Sequence, residues 1–69
     1  MVVNLLDFPG IGFFIQVIDR FGTVICINES GYAGKDEVAA RDKAFLACVF
    51  CGIAKYSIRR MDVMMVEAA

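Results

Sequence analysis

The chain has 69 residues, 59% of them hydrophobic and 22% charged, with 7 Lys+Arg against 8 Asp+Glu and a net charge of -1. That apolar content excludes a disordered tail, and the balanced charge gives no bulk pull toward nucleic acid or an anionic membrane. The absence of histidine removes the commonest general base and metal ligand.

A chain of this length makes one domain, residues 1–69, and buries only roughly 60% of the surface its unfolded form exposes. Oligomerisation or partner binding is then the natural way to hide surplus apolar area. Val2 to Leu6 reads either as a short edge strand or as an unpaired tail. The cluster Phe8-Pro9-Gly10-Ile11-Gly12 is a turn, because proline cannot donate to a central ladder.

Phe13 to Ile18 and Thr23 to Asn28 are rich in aromatic and β-branched residues, and Asp19-Arg20-Phe21-Gly22 lies between them. An aspartate that opens a turn and a glycine that closes it predict a type I turn with a Gly bulge. In that register Asp19 faces Thr23, Val17 faces Ile25, Ile15 faces Ile27 and Phe13 faces Glu29. One sheet face then carries Phe13, Ile15, Val17, Ile25 and Ile27 and reads as core. The other carries Phe14, Gln16, Ile18, Val24, Cys26 and Asn28, which is more apolar than a water-facing sheet requires.

Glu29 to Lys35 reads as a loop. A helix is predicted from about Asp36 to Cys51, with Asp36 or Gly34 as N-cap and Gly52 at the C-terminal cap. Val38, Phe45 and Val49 fall on one helical stripe and are the expected core contacts; Leu46 and Phe50 form a neighbouring stripe. Lys55 to Val66 returns to strand character. Its alternation changes phase at Arg59-Arg60, which calls for a β-bulge there or a turn over Arg59 to Asp62. Met61, Met64 and Met65 read as adaptable core filler. The expected fold is α+β: a single small ββαβ domain, an antiparallel sheet packed by one helix.

Cys48-x-x-Cys51, with Cys26, is the first candidate for chemistry. Zinc requires four ligands, and neither a histidine nor a second such pair is present. A redox pair belongs at a helix N-terminus, and this one lies at the C-terminal end. The three cysteines therefore read as small buried hydrophobes, reduced and without metal. Gly31-Tyr32-Ala33-Gly34-Lys35-Asp36 fails the phosphate-loop pattern in spacing and flanks. With carboxylates scattered and serines lacking a base, no enzyme, no cofactor and no metal site is expected. The apolar run from Ala44 to Ala54 falls well short of the about 20 residues that cross a bilayer. Met1 to Leu6 has no basic stretch of the secretory kind. A cytoplasmic location is expected.

Lys55, Arg59 and Arg60 beside Tyr56 protect a strand edge or form a contact site, arginine and tyrosine being enriched where proteins bind. Phe14, Ile18, Val24, Tyr56, Arg59 and Arg60 are accordingly the candidate partner-binding residues.

The run Gly12-x-Phe14-x-Gln16-Val17, a charged turn with Gly22, Val24-Ile25, the alanine-rich stretch Ala39 to Ala44 and Tyr56-Ser57-Ile58 resemble small anti-CRISPR inhibitors of type I systems, proteins of bacteriophages and mobile elements. The resemblance spans about Gly12 to Val66 and is one of size and element order. It implies a non-enzymatic inhibitor in a bacterial host cell that sterically blocks a CRISPR-Cas effector complex, through a protein partner, without direct nucleic-acid or membrane contact. The alternative is a small structural or regulatory subunit acting as a homo-oligomer, a homodimer in the simplest case.

Overall fold

The structure, a computed structural model, describes residues 1–26 and 31–61. In chain order it forms β1 (Val2–Phe8), β2 (Gly12–Ile18), β3 (Val24–Cys26), β4 (Tyr32–Gly34), α1 (Glu37–Cys51) and β5 (Ser57–Arg60). The architecture is a small α+β domain, a five-stranded sheet packed by one helix.

The segment left open between strand and tail is β1, a central strand. It pairs antiparallel with β2, from Val2↔Ile18 to Phe8↔Gly12. On its other side it pairs parallel with β5, from Asn4↔Ser57 to Asp7↔Arg60. The sheet is therefore mixed, where an antiparallel one was expected. The reason is the crossover: α1 leaves β4 at one edge and delivers β5 to the other, and a helical connection returns the chain in the same direction. The ladder continues past Arg60, with the Met61 N–H donating to the Asp7 carbonyl at 2.7 Å. Register runs unshifted through Arg59 and Arg60, so no bulge falls there. Val63, Met64 and Met65 lie outside the described residues.

The β2–β3 hairpin closes as its sequence dictates. The Asp19 carboxylate accepts from the N–H groups of Phe21 and Thr23 at 2.8 and 2.9 Å, and the Gly22 N–H donates to the Asp19 carbonyl at 3.1 Å. Val17↔Ile25 pairs as expected. Further along, the register departs from the simple hairpin. Phe14 pairs with Tyr32 and Phe13 with Gly34 in β4, and the Ile15 N–H donates to the Gly31 carbonyl at 2.7 Å. Phe13 thus faces Gly34, and its expected partner Glu29 lies outside the described residues. β3 and β4 share one side of β2 end to end, and part of the expected loop is strand. Ile27, Asn28, Glu29 and Ser30 lie outside the described residues.

Helix α1 begins at Asp36, whose carboxylate accepts from the Val38 N–H at 3.3 Å. It ends at Gly52, with φ of 71°, a left-handed conformation that costs glycine nothing. The Ile53 N–H reaches the Cys48 carbonyl at 2.9 Å and the Gly52 N–H reaches that of Val49 at 3.3 Å, which satisfies two otherwise orphaned carbonyls. An exposed Glu37–Arg41 pair at 3.0 Å adds a few tenths of a kcal/mol.

The core is Val3, Leu5, Phe13, Ile15, Val17 and Ala33 from the sheet, with Ala40, Ala44, Ala47 and Cys48 from α1. The sheet side agrees with the sequence reading for Phe13, Ile15 and Val17, whereas Ile25 is half-exposed. The helix side is a correction. Val38, Phe45 and Val49 face solvent, at 72%, 59% and 62% exposure. The facing sheet already carries large side chains, so a stripe of alanines lets the helix axis approach and fill the layer at native density. Bulky residues on both sides would hold the layers apart. Among the described residues, no helix is long and apolar enough to cross a membrane.

Candidate functional site

Strand alternation and register place the sequence candidates. On the face of the sheet opposite α1, one row runs Arg59–Leu6–Phe14–Tyr32 across four strands. The next row is Ser57–Asn4–Gln16, and Ile18 lies beside Val24 beyond it. Phe8 also belongs to this face. Its ring meets Phe14 edge-on at a centroid distance of 5.3 Å, and Phe14 meets Tyr32 at 5.1 Å. The three rings form an aromatic cluster held by two antiparallel pairings.

At the centre of this face lies one polar pair. Asn4 is buried, and its side-chain amide donates to the Gln16 side-chain oxygen at 3.1 Å. Pairing them satisfies groups that would be costly to bury alone. Around the pair, Leu6, Phe8, Phe14 and Ile18 are half-buried, while Val24 is exposed. Leu6, Phe8, Ile11, Phe14 and Val24 line a shallow groove of about 360 Å³.

Of the candidate binding residues, Phe14, Ile18, Val24 and Arg59 thus share one face. Arg60 pairs with Asp7, whose neighbour is Phe13, so it belongs to the helix side. Tyr56 packs against the core beside Cys51 and Ile53. Sequence reasoning missed Leu6, Phe8 and Tyr32. Signals were present: Leu6 and Phe8 are two apart in β1, and Tyr32 precedes two small residues that can pair closely.

A second apolar surface lies on α1. Leu46 and Phe50 are 62% and 94% exposed and join the outward Val38, Phe45 and Val49. A cleft of about 410 Å³ runs from Leu46 and Phe50 toward Ile25 and Met1, with Lys43 among its lining residues.

The cysteines Cys48 and Cys51 are free thiols, the first buried. No group of three His, Cys, Asp or Glu side chains among the described residues is placed to hold a metal ion. Burial pushes the pKa of the Cys48 thiol up, and the nearby Cys51 adds to the shift. A raised folded-state pKa means the thiol's contribution to stability is complete below the unfolded value. It is lost as pH rises past the ordinary 9.0 and through the folded-state value. The wild type should therefore lose melting temperature between neutral and strongly alkaline pH faster than Cys48→Ala. Parallel slopes in a pH series of thermal melts would refute this.

Comparison with protein-family models, curated proteins and solved structures finds no match to the chain.

Proposed function

We propose that the chain is a non-enzymatic protein-binding module whose working surface is the helix-free face of the sheet. The observation that carries the reading is the row Arg59–Leu6–Phe14–Tyr32 with Phe8. It sets an aromatic cluster, a groove and an arginine on one face, the composition of binding hot spots. The more particular form of the proposal is an inhibitor of the anti-CRISPR kind, seated on a protein surface of a bacterial CRISPR-Cas effector complex. Its support is the size of the chain and the order of hairpin, helix and returning strand.

Val24 is 53% exposed, so Val24→Glu should fold normally while placing a charge in the interface. Immobilised wild type is expected to retain a stoichiometric partner from bacterial lysate, and Val24→Glu to lose it. Expression in cells carrying a type I system should restore plaques of a targeted phage, and Val24→Glu should not. Partner capture indifferent to Val24→Glu and Arg59→Glu removes the sheet-face reading. Unrestored plaques remove the inhibitor form.

A further inference from the structure

The outer face of α1 is left without a role by the core and by the sheet face. Val38, Asp42, Phe45 and Val49 follow one another at spacings of four, three and four, the rhythm of a seam between two helices. The four apolar side chains Phe45, Leu46, Val49 and Phe50 occupy the last two turns, and Phe50 is 94% exposed. None of them belongs to the buried core, to which α1 contributes Ala40, Ala44, Ala47 and Cys48. We infer that this face is a two-fold interface, and that its occupant is the same face of a second copy of this chain.

Area and charge favour that occupant. Together the five outward side chains expose on the order of 600 Å², since each large apolar side chain carries well over 100 Å² and an aromatic 150–250 Å². That approaches the about 800 Å² per partner of a standard interface. The helix carries Glu37 and Asp42 against Arg41 and Lys43, so the two helices bring no net charge against each other, and the like-charged Asp42 pair is a local cost. A lipid surface would require cations along the polar flank, and the last turn of α1 has none.

An antiparallel arrangement opposes the two helix dipoles and sets Val38 of one copy near Val49 of the other. Asp42 of each copy then lies close to the two-fold axis with Lys43 beside it. A single polar seam residue of this kind fixes register and orientation at some loss of affinity. The dimer leaves both helix-free sheet faces pointing outward, so this inference stands independently of the function proposed for them.

Sedimentation equilibrium across the micromolar range tests it. Wild type is expected to approach twice the 7.6 kDa chain mass. Phe45→Glu should remain at one chain mass with an unchanged circular dichroism spectrum, and should still engage the partner of the sheet face. Asp42→Leu should tighten the dimer at least tenfold, and it decides the matter should Phe45→Glu fail to fold. A wild type that stays monomeric, a dimer that survives Phe45→Glu, an Asp42→Leu without tightening, or a monomer that cosediments with phosphatidylglycerol vesicles each overturns the inference. Loss of sheet-face binding with an intact dimer would count against the proposed function alone.

Discussion

Leu5→Ala is expected to remove about 2–5 kcal/mol of stability. Leu5 is fully buried in the central strand, between Ile15 on β2 and Ile58 on β5. Truncation removes apolar area and leaves a void that a mixed sheet held on both sides cannot close. A domain of this length has a total stability of about 3–10 kcal/mol, so the loss is a large share of the whole. The melting temperature should fall by on the order of 10–30 °C. Phe45→Ala, by contrast, should shift the dilute monomer by no more than about 0.5 kcal/mol, because its side chain lies outside the core. Thermal melts of the two variants side by side check the orientation of α1. A reversed order of effects would show that the helix packs through its bulky face.

Gly12→Ala is the second large effect. Gly12 has φ of 143°, and a Cβ there would lie 2.9 Å from the Gly34 carbonyl oxygen and 2.7 Å from a ring carbon of Tyr32. The tyrosine ring can turn aside; the carbonyl is part of the β2–β4 ladder and cannot do so cheaply. Backbone strain of about 1–3 kcal/mol adds to an overpacking cost of similar size. Hydrogen exchange is the discriminating measurement. Amides at the β4 end of β2, around Phe13 and Phe14, should lose protection more than those around Val3. Uniform loss, or no loss, would show that the close approach does not control this pairing.

Much of the local structure was legible because single residues dictate it. Asp19 and Gly22 define the hairpin turn, Asp36 the start of the helix and Gly52 its end. The β2 core face was legible from strict alternation over Phe13, Ile15 and Val17. The helix orientation was not, because α1 is apolar almost all round. With Phe45, Leu46, Val49 and Phe50 on one side and four small residues on the other, size favoured the wrong face. Only the distance between layers decides in favour of the alanines, and that distance is a tertiary property.

β1 was ambiguous because Asn4 and Asp7 interrupt its apolar run, and the partner of Asn4 is Gln16, twelve residues away. The parallel direction of β5 follows from the crossover and has no local signature. β4 escaped notice because Tyr-Ala-Gly is short and its pairing depends on the space left by Gly12. Phe14, Ile18 and Val24 were identifiable as surplus to the core, and Arg59 as part of the basic cluster beside Tyr56. Their gathering on one face required the register of β1 between β2 and β5.

The parallel pairing of β1 with β5 divides the assembly of this chain in time. The β1–β2 and β2–β3 hairpins join neighbouring segments, and hairpins and helices as a class form on about the microsecond scale. Asn4 meets Ser57 only after the whole intervening chain has been looped back, a non-local closure that slows folding. Until that closure, the β5 side of β1 presents an open ladder beside Val3 and Leu5. The central strand of the finished sheet is thus, for the first part of its life, an edge. The long-range closure that pairs β1 with β5 is also what covers this open ladder against pairing with a neighbouring chain.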